Sequence, residues 1–246
     1  MSNANLAKID LMEPIVHQIE RISRDIPGWS PIDELFALFT LVYSTAGLRG
    51  DVIEIGSWCG RSSVVLGLVA ALIGKTRVHC IDLFPSKSDW HRNPDGTYSI
   101  AVRIGEQTFA ACVEQTVWAE PFERDIAPIY QTHESTFDLF STAILQNNLE
   151  QVVIPHKGTS TTFAQAASNL LKCKLAFIDG DHGYRAVCDD IQNIEKFLIP
   201  GGWICLDDAF TNSKGIDRAV SELIISSGNY ELGQQLTRKL FVARKK

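Results

Sequence analysis

The chain has 246 residues, 45% hydrophobic and 21% charged, with a net charge of −6 at pH 7. That composition is globular, and the length supports a core without disulfides or structural metal. The acidic balance, with no dense basic block before Arg244-Lys245-Lys246, argues against nucleic acid as a main partner, since such binding rests on neutralising phosphates.

The six cysteines form no C-x-x-C pair, so buried free thiols are expected and a zinc framework is not. The N-terminus lacks the charged-then-apolar pattern of a signal peptide. The longest apolar run, Val64 to Gly74, is too short to span a bilayer. A cytoplasmic protein with no membrane partner is the expectation.

Apolar residues at Leu11, Ile15, Val16, Ile19, Ile22 and Ile26 keep helical spacing over 11–26. Ser30-Pro31-Ile32-Asp33 reads as a capping box, with Ser30 as N-cap, opening a helix to about Gly47. Asp51 to Gly56 reads as a short buried strand running into an apolar helix at 62–73. A second strand is predicted at 76–84. Residues 85–134 lack clean periodicity. Then come a helix at 135–148, a strand at 151–158, a helix at 160–172, a strand ending at Asp179, a helix at 184–197, a strand within 200–208 and a helix at 214–226. Segments near 229–235 and 239–244 read as a closing antiparallel pair.

Near-continuous apolar strands alternating with helices predict an α/β fold with a parallel sheet covered on both faces. The division expected is an N-terminal helical segment, 1–47, packing on a domain at 48–246. The segment 85–134 interrupts that domain. It is too aromatic for a disordered tract, with Trp90, Tyr98, Phe109, Trp118, Phe122 and Tyr130. Two readings of it stand: a lid over an acceptor pocket, and an interface in a homo-oligomer.

In such sheets ligands bind outside the carboxyl ends of the strands. Glu54-Ile55-Gly56-Ser57-Trp58-Cys59-Gly60 lies between a strand and a helix, and Ser62 and Ser63 follow. It is neither G-x-G-x-x-G nor a P-loop, and Glu54 would repel a pyrophosphate. Asp82 ends the second strand, where an acid takes a ribose diol. Glu54, Gly56, Gly60 and Asp82 together suit a phosphate-free nucleoside with a cationic amino-acid end, which S-adenosylmethionine is. A plain strand-to-helix turn is the alternative.

Asp179, Asp207 and Asp208 end consecutive strands. If these are neighbours, three carboxylates meet at one rim, a hard-oxygen set that suits Mg²⁺ or another divalent cation. Helix capping and ordinary ion pairs are the alternatives. His182, three residues after Asp179, is placed for a general base, and a turn histidine is its alternative. Asp181 has three readings: orienting His182, contacting the cofactor, or capping the next helix. Asp189 and Asp190 read as surface residues of that helix.

The order EIGSWCGRSS, IDLF, HKGTS, FIDGDHGY, PGGWICLDD resembles the class I S-adenosylmethionine-dependent methyltransferases over about residues 48–246. Within that superfamily it is most similar to the metal-dependent small-molecule O-methyltransferases, above all those acting on sugar hydroxyls of macrolides and related natural products. The resemblance implies a Rossmann-like three-layer αβα sandwich whose seven-stranded, mostly parallel sheet has its last strand antiparallel. It implies cofactor contacts from the glycine loop (Glu54, Gly56, Ser57, Gly60, Ser62, Ser63), Asp82 and Asp179, with Thr159 and Ser160 beside the adenine. It implies metal ligation by Asp179, Asp207 and Asp208, with His182 as base and a small-molecule hydroxyl as acceptor. Two rivals stand beside it. One is a nucleotide-dependent oxidoreductase, which the absent G-x-G-x-x-G disfavours. The other is a methyltransferase-like domain that only binds a ligand; a metal-independent enzyme also remains open.

Overall fold

The computed structural model describes residues 14–246, so the start of the first predicted helix, with Leu11, lies outside the described residues. In chain order the elements are α1 (Ile15–Asp25), α2 (Ile32–Ser44), β1 (Asp51–Ile55), α3 (Arg61–Ile73) and β2 (Val78–Asp82). Next come β3 (Trp90–Arg92), β4 (Tyr98–Ile104), β5 (Gln107–Ala111), the single turn α4 (Ala119–Pro121) and α5 (Thr136–Gln146). The chain closes with β6 (Val153–Lys157), α6 (Ser160–Ala166), β7 (Cys173–Ile178), α7 (Tyr184–Glu195), β8 (Leu198–Leu206), α8 (Lys214–Ala219), β9 (Tyr230–Gln235) and β10 (Phe241–Lys245).

Seven strands form one sheet in the order β6-β2-β1-β7-β8-β10-β9. The first five are parallel, and β10 runs antiparallel to both β8 and β9. This is the expected Rossmann-like sheet. Alternate residues of the buried strands face opposite layers, as the period of two requires. Val52, Val78, Cys80, Leu175 and Phe177 pack with α1, α2, α3 and α5. Ile53, Ile81, Ala176, Ile178 and Ile204 pack with α6, α7 and α8. Both faces are therefore dry, which is why the strands read as unbroken apolar runs.

The N-terminal helices share this core, since Ile19, Ile22, Leu35, Leu38 and Val42 lie in one cluster with Val64, Val65 and Leu68 of α3. Arg61 ties them down, its Nε donating to the Ile26 carbonyl at 2.7 Å and its Nη1 to the Ser30 carbonyl at 3.2 Å. The expected cap is corrected. Pro31, not Ser30, precedes the first turn of α2, and no side chain caps it. The helix expected at 160–172 stops at Ala166, because Ala167 turns extended.

The segment 85–134 is ordered. It holds an antiparallel meander, β3-β4-β5, followed by helical turns. Ile126, Ile129 and Tyr130 form a small core with Cys59 of the glycine loop, against which Trp58, Trp90 and Phe122 pack. All six cysteines are free. Among the described residues no helix is long and apolar enough to cross a membrane.

Candidate active site

The sheet order reverses between β1 and β7, and ligands of open α/β sheets bind at the carboxyl ends beside such a reversal. The glycine loop lies there. Gly56 has φ 87°, and a Cβ on it would sit 1.9 Å from the Asp179 carbonyl oxygen. Only glycine lets the loop pass so close to the end of β7. Asp82 reaches across from β2. Its Oδ2 accepts the Trp58 N–H at 2.9 Å and its Oδ1 the Phe84 N–H at 2.5 Å. Burial pushes its pKa up to about 6 against those two bonds. Each carboxylate oxygen still keeps acceptor capacity for a ligand hydroxyl.

Three expected cofactor contacts turn inward. Glu54 has no exposed surface, and its Oε2 accepts from Ser57 Oγ at 2.6 Å and from Ser63 Oγ. The acid and two serines brace the loop from beneath. Glu54, Ser57 and Ser63, expected as cofactor contacts, are thus buried and hydrogen-bonded to one another in this conformation. Ser62 and Gly60 are also buried. Glu54 Oε1 has no partner.

Thr159 caps α6 through a reciprocal box with Thr162, at 3.3 and 2.9 Å. Beside it a cavity of about 330 Å³ opens, lined by Ile81, His156, Gly158, Thr162 and Phe163 among others. Ser160 is buried and accepts from Asn193 Nδ2 at 3.3 Å. It also bonds Asp190, whose pKa burial raises to about 7. Asp190 is thus corrected from a surface residue to a buried one at the floor of this corner, while Asp189 is exposed.

β7 and β8 are neighbours, so Asp179, Asp207 and Asp208 do converge. They do not form an open acidic rim. Lys239, from the β9–β10 turn, enters between them with its Nζ 2.5 Å from Asp207 Oδ2 and 3.7 Å from Asp208 Oδ1. Glu34 of α2 comes in from the other side and is wholly buried. Burial, then the Asp207 carboxylate, push Glu34 up to about 9. Burial works to raise Asp207 too, but the Glu34 and Lys239 hydrogen bonds overcome it and hold it low. Glu34 Oε1 and Oε2 and Asp207 Oδ1 have no hydrogen-bond donor among the described residues, and a proton held on Glu34 gives one of its oxygens a donor to offer Asp207. Asp179 is raised well above the usual range by burial and by Asp207. With Glu34 and Asp179 favouring their neutral forms, Asp207 and Lys239 balance each other.

A divalent cation does not fit this set as it stands. Its buried Asp207 Oδ2 is capped by the Lys239 ammonium, which also lies 3.7 Å from Asp208 Oδ1. Among the described residues no three His, Cys, Asp or Glu side chains are placed to hold a metal ion. Asp179, Asp207 and Asp208, expected as metal ligands, meet around Lys239 as a lysine-compensated acid cluster.

His182 follows on the loop after β7. Its Nε2 lies 3.7 Å from Asp208 Oδ2, and both side chains are partly exposed. Asp208 has φ 52°, a strained value for a non-glycine residue and of the kind that gathers at functional sites. Asp181 takes a definite role: its Oδ1 accepts the Gly183 N–H at 2.7 Å and its Oδ2 the Cys112 N–H at 2.5 Å. Glu114 Oε2 accepts the Tyr184 N–H at 2.9 Å, at the first residue of α7. These bonds pin the end of the meander onto the loop that carries His182. Sequence reasoning missed Glu34, Lys239, Glu114 and Arg61, because each acts on partners far away in sequence; Arg61 lies within the glycine-loop stretch, but its carbonyl partners do not.

The sequence matches the family described as "Methyltransferase domain" over residues 53–209, well over half of the chain. The chain belongs to that family. No curated protein matches it by sequence. The methyltransferase is similar in fold to the solved O-methyltransferase NovP, with a TM-score of 0.63 at 15% identity over 93% of this chain and 88% of that one. It is also similar to an O-methyltransferase from Bacillus cereus in complex with SAH, with a TM-score of 0.56 at 17% identity over 96% and 94%. A third is CalS11, a calicheamicin methyltransferase, with a TM-score of 0.56 at 13% identity over 99% and 98%. At these identities the likeness speaks for the class I methyltransferase fold.

Proposed function

We propose that this methyltransferase moves a methyl group from S-adenosylmethionine to a hydroxyl of a small molecule, such as a sugar, polyol or phenol. The observation that carries the reading is the partly exposed His182–Asp208 pair beside the Gly56 loop at the sheet reversal. A proton acceptor thus stands where the nucleoside loop ends. S-adenosylmethionine supplies an electrophilic methyl when bound. Asp82 and the loop hold its nucleoside. His182 takes the acceptor proton, Asp208 balances the resulting imidazolium charge, and the meander excludes water above them. The likeness to solved O-methyltransferases, a calicheamicin methyltransferase among them, supports a hydroxyl of a natural product as acceptor.

The test has two parts. Calorimetry with S-adenosylmethionine should show binding by the wild type and weaker binding by Asp82→Ala. Release of S-adenosylhomocysteine across a panel of sugars and phenols should then identify the acceptor. His182→Ala should keep cofactor binding while losing about 10²- to 10⁴-fold in turnover, the range for a general base. Absence of cofactor binding would defeat the reading.

A further inference from the structure

We propose that Lys239 is a built-in replacement for a divalent cation, closing the Asp179–Asp207–Asp208 site to metals and holding Asp208 toward His182. The proposal rests on the methyl-transfer reading only for the use made of Asp208; the exclusion of metal stands without it.

Three observations carry it. The first is position: Nζ lies 2.5 Å from Asp207 Oδ2 and 3.7 Å from Asp208 Oδ1, so one ammonium serves two of the three rim carboxylates. The second is that Lys239 is itself 7% exposed, hence buried, and lysine is almost never buried without a built partner. Its backbone is fixed as well, since the Lys239 carbonyl accepts the Ala209 N–H at 3.1 Å and Gln235 Nε2 donates to the Ala209 carbonyl at 3.0 Å. The β9–β10 turn is thus laced to the loop that follows Asp208, and the lysine is not a wandering surface chain. The third is the division of Asp208, with Oδ1 toward Lys239 and Oδ2 toward His182. Lys239 acts through Asp208, which makes it a positioning residue.

The chemistry differs from that of a metal in a definite way. A divalent cation keeps open positions and takes substrate oxygens directly. An ammonium, hydrogen-bonded to Asp207 and ion-paired with Asp208, offers no such positions. Deprotonation of the acceptor is then left to His182.

The decisive measurement is titration of the full chain with Mn²⁺, followed by the electron paramagnetic resonance signal of the free ion. Wild type should leave that signal intact. Lys239→Ala should remove it stoichiometrically, because the three carboxylates, no longer arranged around an ammonium, are free to close on the ion. Lys239→Ala combined with Asp207→Asn should restore the free-ion signal. If Lys239→Ala does not fold, Lys239→Gln, which keeps most of the buried stem, replaces it in both samples. Stoichiometric Mn²⁺ uptake by wild type, lost in Asp207→Asn, would overturn the proposal. So would a folded lysine variant that takes up no Mn²⁺. Cofactor calorimetry on the same samples reports separately on the methyl-transfer reading, so the two can fail independently.

Discussion

Adding one carbon at Gly56 separates two costs that glycine avoids. A backbone at positive φ costs an L-residue about 1–3 kcal/mol. Gly74 has that cost alone, at φ 72° with nothing within 4 Å of an added Cβ. Gly56 has it together with a Cβ 1.9 Å from the Asp179 carbonyl oxygen, which is backbone and cannot swing aside. Gly74→Ala should therefore lower stability by about 1–3 kcal/mol in denaturant titration and leave cofactor binding unchanged. Gly56→Ala should cost clearly more and abolish cofactor binding, since the loop must part from β7. Equal effects of the two would show that the close approach is not what matters. The sequence revealed Gly56, Asp82, Asp179, His182, Asp207 and Asp208 because each directly follows or ends an apolar strand, where a polar residue needs a reason. It did not reveal that Glu54 faces inward. An acid in a glycine loop looks the same whether it meets a ligand or two serine hydroxyls behind the loop. Glu34 and Lys239 were hidden for another reason: one sits in an amphipathic helix and the other before a terminal strand, and only the sheet order brings them together.

The meander β3-β4-β5 shows how an element can join a site through very few bonds. Its own hairpins are sound. Asn93-Pro94-Asp95-Gly96 makes the first turn, with the Gly96 N–H on the Asn93 carbonyl at 3.0 Å, and Gly105 at φ 61° makes the second. Both are turn chemistries readable in sequence. The strands between them are short and mostly half-exposed, so neither period stands out and the segment looks irregular. What docks it is the pair of acids Asp181 and Glu114, which accept the Cys112 and Tyr184 N–H groups. Replacing both by alanine should release the end of β5 without unfolding the sheet. Amide hydrogen exchange should speed up over residues 98–117 while β1 and β7 stay protected, because local opening reports local contacts. Uniform loss of protection would mean that the meander and the sheet are one cooperative unit. The aromatic contacts under it, Trp90 against Phe122 and Trp58 against Trp90, should survive in the double variant.

At the scale of the molecule, the buried acids set an unusual dependence of stability on pH. Glu34 titrates at about 9 in the fold against 4.5 unfolded, Asp190 at about 7 and Asp82 at about 6 against 3.8. Burial is the largest cause in each. For such a group the folded state holds a proton that the unfolded chain has released, so stability falls as pH rises between the two values. Asp207 has the opposite sign. Its pKa is held low, so its contribution is complete above the unfolded value and is lost as pH falls through the folded one. His156, pressed down to about 4 by burial and by His79, also opposes the fall, because the unfolded chain binds its proton first below 6.5. From 4.5 to about 6, the raised acids Glu34, Asp190, Asp82 and Asp179 therefore outweigh one histidine. Above about 7 Asp82 and Asp190 no longer contribute and Glu34 still drives the decline, with Asp179, also raised by burial, acting in the same sense. The melting temperature should accordingly be higher at pH 5 than at pH 8, whereas ordinary proteins have a broad optimum at about pH 5 to 8. Glu34→Gln keeps the shape and a donor toward Asp207 but removes the titration, so it should flatten the slope above pH 7 and leave the part below pH 6 in place. A wild-type melting temperature that is level or rising from pH 5 to pH 8 would show that Glu34 is ionised in the fold. The proton that Glu34 offers Asp207 would then be absent.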